Sequence, residues 1–485
     1  MEYSDESYAE MIGKLFVRFP SFQTSGAKAY KPGIDNMLFF DQLAGHPHRR
    51  YATVHIAGTN GKGSVSNMLA SVLAASGLKT GLYTSPHILD FRERMRILDG
   101  RSGSTTVEYI GKEEVAGFVG RWGSTFDHLD LSFFEITTMM AFDWFAVRGV
   151  DAAVIETGLG GRFDSTNIIS PVLSIITNIG LDHCDMLGNT LGEIAFEKAG
   201  IIKPGVPVIV GEQDPETDPV FEKKVLYTNL PDPAFMGDRS RIMSLLVFAG
   251  KTEPSLWEDR DRILTGMDLQ GWYQKKNLRT VCAALDVLSS DRTVAGSPVM
   301  AGLQRMMSSG RKSVEDAIMK TASRMDFHGR WERLCSDPEV IADIGHNAHG
   351  LKYNFSQLEA LLESGGCTHL IIIYGIVSDK DVSLVFPLMP HDARYIFTNS
   401  SGKRALPASS LLEQYLSWCR AAGKAPAPAE STGTVGEAVA EAFALAGEIR
   451  RKDVSAKPLI YIGGSTFVVS EALAPVRSRI DEGNR

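Results

Sequence analysis

Cysteine is scarce in this sequence of 485 residues, and its five cysteines are widely separated. None belongs to a C-x-x-C pair, so neither a disulfide framework nor a zinc cluster is indicated. The cysteines are Cys184, Cys282, Cys335, Cys367 and Cys419. This usage is typical of a protein in a reducing compartment, and we expect a cytoplasmic location.

Long hydrophobic runs are also missing. No stretch of about 18 consecutive apolar residues occurs, so we expect no membrane-spanning helix and no membrane partner. The N-terminal sequence MEYSDESYAEM is acidic and polar, whereas a secretory signal begins with basic and then apolar residues.

An excess of positive charge is missing as well. The chain has 50 Lys and Arg against 58 Asp and Glu, which gives a formal net charge of −8. A nucleic-acid-binding protein usually carries a basic surface, so we expect no nucleic-acid partner. A local basic pocket for a small anion remains compatible with this balance. The length predicts two domains.

Glycine, in contrast, is concentrated in HIAGTNGKGSVSNML, residues 55–69. The stretch follows a β-branched run at 51–58 and precedes a helical pattern at 64–77. Glycines in an ordered loop cost conformational entropy, and backbone contact with a phosphate explains that cost. Main-chain N–H groups and a helix N-terminus bind phosphate, and a lysine adds a full positive charge.

The glycine-rich stretch departs from the usual G-x-x-x-x-G-K-[ST] pattern, because Gly63 separates Lys62 from Ser64. The alternative is a tight strand-to-helix turn with a solvated lysine. The strand–loop–helix setting favours nucleotide binding. The residues predicted to bind the nucleotide are Asn60, Gly61, Lys62, Gly63 and Ser64.

Strand and helix patterns alternate along the first two-thirds of the chain, which predicts a doubly wound parallel sheet in an α/β domain. The predicted strands are 51–58, 79–86, 151–161 and 172–180, and the predicted helices are 64–77, 133–149 and 190–200. We expect this P-loop-containing domain to span residues 1–325.

A second alternation predicts a smaller Rossmann-like α/β domain over residues 326–485. Its predicted strands are 339–347, 368–376, 393–400 and 458–464. Residues 214–262 match no motif, and their role stays open.

Several stretches together resemble one family, the folylpolyglutamate synthase/dihydrofolate synthase branch of the Mur ligase superfamily. The resemblance rests on GTNGKGS and on further stretches in the family's order. These are YTSPHILDFRERMRI (83–97), SFFEITTMMAFDWF (132–145), VIETGLGGRFDSTN (154–167), TNIGLDHCDMLGNTLGEIAFEKAGIIKPG (177–205), QKKN (274–277), GRWE (329–332), DIGHN (343–347), YGIVSDKD (374–381) and IGGS (462–465).

The resemblance implies an ATP-dependent ligase with ATP and two Mg²⁺ ions as cofactors. It would add L-glutamate to dihydropteroate, to tetrahydrofolate, or to both, through an acyl phosphate. We expect a monomer whose partners are these small molecules. Lys62 is implied as a catalytic residue, because cationic side chains stabilise a transferring phosphoryl group.

The resemblance also implies Ser85, Glu156 and His183 as the metal site. A turn hydroxyl, a strand-end carboxylate with a local partner and a loop histidine are the respective alternatives. Imidazole is the least expected magnesium ligand of the three. Lys198 is implied as a catalytic, carbamylated lysine, although its sequence context alone reads as an ordinary helical lysine. Carbamylation requires an uncharged amine.

For the nucleotide, the resemblance implies Gln274 and Asn277 near the adenine and Arg330 near the phosphates. Asp343 is implied as a ribose-binding or catalytic aspartate, and the family's usual D-G-A-H-N is D-I-G-H-N here. His346, as a catalytic residue, and Ser465 are implied on the glutamate side. Structural roles in strand-end turns are the alternative for each, and for Arg330 a salt bridge with Glu332.

The acceptor site is the least specific part of the resemblance. Phe133 or Phe134 would stack on the pterin, although the same segment also reads as a core helix, and one of the two must be core. The residues implied at this site are Ala29, Tyr30, Lys31, Pro32, Ser132, Phe133, Phe134, Glu135, Phe163, Asp164 and Ser165.

Three other functions fit part of the pattern. A peptidoglycan-precursor ligase with a UDP-sugar acceptor shares the chemistry, but GTNGKGS, TSPHI and GLGGRFDSTN favour the folate branch. A P-loop switch ATPase would leave Glu156, His183, Lys198 and the second domain unexplained. The presence of Lys62, Glu156 and Asp343 argues against a non-catalytic relative.

Overall fold

The computed structural model describes residues 5–21, 26, 31, 33–229, 244–290, 298–309 and 311–483. The chain divides into two compact units. The first unit comprises Met1–Asp268 and Gln274–Asp326, and the second comprises Leu269–Tyr273 and Phe327–Arg485. The short segment Leu269–Tyr273 thus belongs to the second unit although it lies between two parts of the first.

The first unit is built on an eight-stranded sheet. Its strands are β1 (Ala52–Ala57), β2 (Lys79–Tyr83), β3 (Met95–Asp99), β4 (Thr106–Tyr109), β5 (Ala152–Glu156), β6 (Leu173–Ile176), β7 (Val208–Val210) and β8 (Leu246–Phe248). The spatial order is β4-β3-β2-β5-β1-β6-β7-β8. The strands from β2 to β8 in this order pair in parallel, and β3 and β4 add an antiparallel edge.

The helices of the first unit follow the same alternation. They are α1 (Asp5–Arg18), α2 (Asp35–Leu43), α3 (Lys62–Ala75), α4 (Lys112–His128), α5 (Phe133–Val147), α6 (Cys184–Leu187), α7 (Leu191–Lys198), α8 (Asp218–Asn229), α9 (Arg260–Gly266), α10 (Gln274–Ser289), α11 (Pro298–Ser309), α12 (Lys312–Met319) and α13 (Thr321–Met325).

The predicted strands and helices of this unit are confirmed in type and place. Strand β1 is the run of β-branched and small residues ATVHIA, buried from its second residue onward. Neighbours β5 and β6 flank it in parallel register, as expected for a fully buried strand. The chain order therefore reverses beside β1, which is the switch point where doubly wound sheets bind ligands.

The core of the first unit includes a large aromatic cluster around α5. Met139, Phe142 and Phe145 are fully buried there, and Phe133 and Trp144 are nearly so. The helix is apolar on almost every side because it packs inside the unit rather than on its surface.

The second unit has a six-stranded sheet of order β13-β12-β11-β14-β10-β9. Its strands are β9 (Glu332–Ser336), β10 (Glu339–Ala342), β11 (His369–Tyr374), β12 (Ala393–Phe397), β13 (Ala429–Ser431) and β14 (Pro458–Gly463), and its helices are α14 (Ala348–Glu363), α15 (Ala408–Ala421), α16 (Val435–Lys452) and α17 (Thr466–Gly483). All pairings are parallel except that of β9 with β10. The four predicted strands are confirmed, whereas β9 and β13 were not predicted.

Two α/β units with parallel-rich sheets confirm the predicted fold class. None of the described helices combines the length and the apolar character needed to cross a membrane.

Candidate active site

Four neighbouring parallel strands bring the predicted nucleotide and metal residues to one edge of the first sheet. In spatial order, β2 leads to Ser85, β5 ends at Glu156, β1 leads into the glycine-rich loop, and β6 leads toward His183. Because the strands are parallel, their carboxyl ends share this edge, which is where such sheets bind ligands.

The glycines of the loop are required by close backbone approach. Gly58 has φ 151°, and a Cβ there would lie 1.8 Å from Oγ1 of Thr177. Gly61 has φ 82°, and a Cβ there would lie 2.3 Å from Oδ1 of Asn277. At both positions a side chain larger than hydrogen is excluded, because φ is positive and because a Cβ would collide with Thr177 or Asn277.

Thr177 and Asn178, which follow β6, hold the loop in place. The main-chain N–H of Thr59 donates to the carbonyl oxygen of Asn178 at 3.0 Å, and that of Asn60 donates to its Oδ1 at 2.9 Å. The hydroxyl of Thr177 donates to the carbonyl oxygen of Asn60 at 2.5 Å. Neither residue had a predicted role, although the two begin the TNIG stretch of the resemblance.

Two lysines converge on one carbonyl group of the loop. Nζ of Lys62 donates to the Gly58 oxygen at 3.1 Å and to the Thr59 oxygen at 3.3 Å. Nζ of Lys198, at the end of α7, donates to the same Gly58 oxygen at 2.9 Å. The structure thus brings the two predicted catalytic lysines together.

Burial and charge make Lys198 unlike an ordinary surface lysine. Its side chain is 4% exposed. Burial, with a smaller contribution from the charge of Lys62, lowers its pKa to about 7, and the carboxylates of Asp182 and Asp164 oppose this shift. The uncharged amine is therefore far more accessible at neutral pH than that of an ordinary surface lysine.

Helix α3 begins at Lys62, and its first turn carries the other loop residues. Ser64 is buried and accepts a hydrogen bond from Nε2 of Gln274 at 3.2 Å. Nδ2 of Asn277 donates to Oε1 of Gln274 at 2.8 Å. Gln274 and Asn277 lie in the first turn of α10 and pack beside the loop within the first unit.

Of the three predicted metal residues, two lie demonstrably together. Glu156 is 3% exposed, and the main-chain N–H of Ser85 donates to its Oε2 at 3.4 Å. The carboxylate and the Ser85 hydroxyl are hard oxygen ligands of the kind that Mg²⁺ prefers, so this donor set fits the ion. His183 is adjacent to Asp182, whose Oδ1 accepts its main-chain N–H at 2.9 Å.

The two predicted pterin-stacking phenylalanines have different surroundings. Phe133 is core: its ring stacks on Phe16 with centroids 4.2 Å apart and meets Phe91 edge-on. Phe134 is half-buried, with its ring 5.9 Å from that of Tyr83.

Ser132 and Glu135, also predicted at the acceptor site, form a capping box at the start of α5. Oγ of Ser132 accepts the N–H of Glu135 at 3.3 Å, and Oε2 of Glu135 accepts the N–H of Ser132 at 2.7 Å. Their polar groups therefore start the helix.

Three further residues predicted at the folate-acceptor site, Phe163, Asp164 and Ser165, lie in a structured loop after β5. Oδ2 of Asp164 accepts the main-chain N–H groups of Gly158 and Leu159, both at 2.8 Å, and Oδ1 accepts from Thr166. Burial raises the pKa of Asp164, and these hydrogen bonds oppose the shift. The Arg162 guanidinium lies 4.2 Å from the ring centroid of Phe163, and Ser165 is half-buried.

Lys31, from the predicted AYKP contact, donates to the carbonyl oxygen of Asp130 at 2.5 Å and to its carboxylate at 2.6 Å. The predictions for Ala29, Tyr30 and Pro32 fall outside the described residues.

In the second unit, Asp343 accepts four hydrogen bonds. Its Oδ2 accepts from the hydroxyl of Tyr273 at 2.6 Å and from the N–H of Trp331 at 2.8 Å. Its Oδ1 accepts from the N–H of Gly345 and from Nδ2 of Asn354, both at 2.7 Å. This pattern is typical of a carboxylate that organises the turn after β10.

The other second-unit predictions also lie in turns. Nη1 of Arg330 donates to the carbonyl oxygens of His328 and Gly329, and its guanidinium lies 4.6 Å from the Phe327 ring centroid. Nδ1 of His346 lies 3.0 Å from the carbonyl oxygen of Ile344. Oγ of Ser465 accepts the N–H of Phe467 at 3.2 Å, at the start of α17.

The salt bridge between Arg330 and Glu332, which was the alternative role for Arg330, does not form. Oε1 of Glu332 lies 2.7 Å from Nδ1 of His328, and its Oε2 accepts the N–H of Gly329.

Comparison with known proteins places the chain in a family. Residues 56–224 match the Mur ligase middle domain. A dihydrofolate synthase/folylpolyglutamate synthase of Bacillus subtilis (strain 168) is 32% identical over 362 residues, which cover 72% of this chain and 76% of the relative. The chain belongs to the dihydrofolate synthase/folylpolyglutamate synthase family.

A second relative of this family is the folylpolyglutamate synthase of Lacticaseibacillus casei, 32% identical over 339 residues, or 70% of this chain and 74% of the relative. Among solved structures, a bifunctional folylpolyglutamate synthase/dihydrofolate synthase from Yersinia pestis, complexed with AMPPNP and a Mn ion, superposes with a TM-score of 0.69 at 21% identity. The match covers 97% of this chain and 98% of that one, and it shows a shared fold.

Proposed function

We propose that this chain is an ATP-dependent ligase that adds L-glutamate both to dihydropteroate and to tetrahydrofolate. The observation that carries the proposal is the convergence of Lys62 and Lys198 on the Gly58 carbonyl, in a glycine loop at the switch point of a doubly wound sheet. Family membership supplies the substrate class, because relatives of equal identity are named for one or both activities.

In this proposal the glycine loop and the first turn of α3 bind the phosphates of ATP. The start of α3 directs main-chain N–H groups and a partial positive charge toward a bound anion. Lys62, half-buried, adds a full charge that stabilises the transferring phosphoryl group. Asn277 and Gln274 order the loop from the side of α10.

Ser85 and Glu156, with His183, are the residues proposed to hold Mg²⁺, as two ions. Bound magnesium supplies charge neutralisation for the phosphates during transfer. Glu156 is suited to this role because its carboxylate supplies hard oxygen ligands at the carboxyl end of β5, beside Ser85.

Carbamylation of Lys198 is part of the proposal. The uncharged amine attacks the carbon of CO₂, a C–N bond forms, and a proton leaves to solvent. A pKa of about 7 makes this amine available at neutral pH. The product is a carbamate anion whose oxygens can bind a metal ion. Its remaining N–H can still donate a hydrogen bond to the Gly58 carbonyl.

The reaction then has two steps. The acceptor carboxylate attacks the γ-phosphorus of ATP, which gives an acyl phosphate and ADP. The amine of L-glutamate attacks the acyl carbon to give a tetrahedral intermediate, the bond from that carbon to the phosphate oxygen breaks, and phosphate leaves while the nitrogen loses a proton to solvent.

Phe134 is the proposed pterin-stacking residue, because Phe133 is part of the core. The loop ordered by Asp164 supports the same side of the site, with Phe163 and Ser165 beside it. For the second unit we propose that Arg330 binds nucleotide phosphate and that His346 and Ser465 bind glutamate. Each chain carries both units, and we propose that it acts as a monomer.

The test is ADP release by the purified full-length chain with ATP, Mg²⁺ and L-glutamate. Dihydropteroate and tetrahydrofolate are supplied in separate reactions, and omission of the acceptor or of glutamate is the control. Glutamate-dependent turnover with both acceptors is the expected result.

Turnover with tetrahydrofolate alone would remove the dihydrofolate synthase half of the proposal. ADP release at the same rate without acceptor or glutamate would contradict the ligase and favour a switch ATPase. Turnover only with a UDP-sugar peptide acceptor would favour the peptidoglycan-precursor ligase.

A further inference from the structure

A cluster of ionisable side chains outside the proposed active site lies where α2 ends. Asp41 lies on α2, His46 lies in the following turn, and His48 lies in the short 3₁₀ helix Pro47–Arg50 that precedes β1. Oδ2 of Asp41 is 2.5 Å from Nδ1 of His46 and 3.3 Å from Nε2 of His48. One ligand atom from each of the three residues lies within 4.8 Å of the others.

The backbone between the helix and the strand folds back to make this cluster. Gly45 has φ 74° and His46 has φ 54°, so two successive residues lie in the left-handed region. A histidine is uncommon in that region. The main-chain N–H of His46 donates to the carbonyl oxygen of Asp41 at 2.9 Å, which fixes the reversal and turns the imidazole toward the helix.

The carboxylate of Asp41 is buried and only half satisfied by the protein. The residue is 2% exposed, yet both imidazoles approach Oδ2, and Oδ1 has no hydrogen-bond partner among the described residues. Leaving a buried carboxylate oxygen without a partner is costly. A cation bound to this carboxylate through Oδ2 would compensate its buried charge, and a further contact of that cation with Oδ1 would supply the missing partner.

We propose that Asp41, His46 and His48 form a binding site for a divalent transition metal ion of the zinc class, separate from the magnesium site. Two imidazole nitrogens and one carboxylate oxygen are a donor set that zinc prefers and that magnesium does not. Asp41 and His48 are buried, whereas the His46 side chain is 38% exposed. The ion therefore enters from the side of His46, where water completes the coordination.

Small shifts of side chains convert the present arrangement into a metal site. Tetrahedral zinc ligands at about 2.0–2.1 Å from the ion lie roughly 3.3 Å apart. The Asp41–His48 separation already has that value. The Asp41–His46 separation must lengthen by somewhat less than an ångström, and His46 is the most exposed of the three. The bound ion would connect the end of α2 to the turn that leads into β1.

The test is zinc binding to the full-length chain after treatment with a chelator, with Mg²⁺ kept in excess throughout. Zinc alone is titrated in competition with a chromophoric chelator, and the melting temperature is recorded in parallel. His46→Asn is the main variant, because asparagine also tolerates the left-handed conformation. Asp41→Asn is the second variant, and His391→Ala, which removes an exposed histidine of the second unit, is the matched control.

We expect the wild-type chain and the control to bind one zinc ion that His46→Asn does not bind. If His46→Asn retains this ion, its affinity should be lower than that of the wild type by roughly tenfold or more. Zinc should raise the melting temperature of the first two proteins only. Equal stoichiometry and affinity in the wild type and in both folded site variants would overturn the site. Melting curves in Mg²⁺ alone show which variants fold, and loss of zinc binding in either folded variant supports the site. The result is independent of ligase activity.

Discussion

The two units differ in how the fold surrounds the charged residues that were predicted to be catalytic. In the first unit, Lys62 and Lys198 share a single main-chain acceptor, the carbonyl of Gly58. In the second unit, one carboxylate, Asp343, receives four donors from the surrounding fold. The first cluster directs two amino groups at one carbonyl oxygen, whereas each oxygen of the Asp343 carboxylate accepts two hydrogen bonds.

From this difference we propose that the lysine cluster takes part in the reaction and that Asp343 mainly organises the fold. A carboxylate has about four acceptor positions, so Asp343 has little capacity left for a ligand. The ammonium group of Lys62 has three donors, of which two bind loop carbonyls, so it keeps one for a bound anion. We therefore expect substitutions in the first cluster to change catalysis, and substitution of Asp343 to change stability first.

The largest expected effect is that of Lys62→Met on turnover. Without this charge, kcat should fall by roughly 10²–10³, or about 2.7–4 kcal/mol in the barrier, because the transferring phosphoryl loses a stabilising cation. Steady-state ADP release measures the change. Lys79→Met is the control, since Lys79 also donates to a main-chain carbonyl, that of Arg148, at the amino end of β2. Similar losses in both variants would contradict a catalytic role for Lys62.

The next effect concerns Asp343→Asn. An amide in place of the carboxylate turns an NH₂ group toward some of the four donors, which then lose their acceptor. The free energy of unfolding should therefore fall by about 2–3 kcal/mol. Urea unfolding followed by a probe in the second unit measures this loss, with the exposed Asp392→Asn as control. Unchanged stability together with abolished turnover would contradict this expectation and would support a catalytic role for Asp343.

The pH dependence of stability tests the environment of Lys198. Its pKa is about 7 in the folded chain and near 10.5 in the unfolded chain, so between these values the unfolded state binds more protons. Stability should therefore rise with pH across this window. In CO₂-free buffer the wild type should gain about 1 kcal/mol relative to Lys198→Met between pH 7 and pH 8. A constant difference between the two proteins would mean that the pKa is not lowered.

The smallest effect is that of Phe134→Ala on the folate acceptor. Loss of one stacking contact, worth about 0.5–1.5 kcal/mol, should raise the KM for dihydropteroate roughly 2- to 12-fold and leave the KM for ATP unchanged. Phe39→Ala, on α2, is the control because it removes another phenylalanine ring of the first unit, at a residue that is 49% exposed. Equal changes in both KM values would indicate a structural role for Phe134.

Local sequence signals predicted the elements that carry the proposed active site. The β-branched run of β1, the glycine loop and the start of α3 are encoded within some twenty consecutive residues. The antiparallel edge was missed because the short TVEY segment of β4 alternates between exposed and half-buried positions and gives a weak strand pattern. Leu269–Tyr273 was not assigned to the second unit, because five residues carry no compositional signal.

The roles of individual side chains were harder to predict. Ser132 and Glu135 carry the S-x-x-E spacing of a capping box, so their use at the helix start could have been recognised from the sequence. The donors to Asp343 include Tyr273, which lies 70 positions away along the chain. No local pattern predicts such a contact, and only the fold brings the two groups together.

The measurement that tests the central claim most directly is isotope transfer from the acceptor to phosphate. Dihydropteroate labelled with ¹⁸O in its carboxylate is incubated with the chain, ATP, Mg²⁺ and L-glutamate, and the released phosphate is analysed by mass spectrometry. Activation as an acyl phosphate predicts one ¹⁸O atom in each phosphate formed by ligation. Unlabelled phosphate accompanying amide formation would contradict the proposed mechanism.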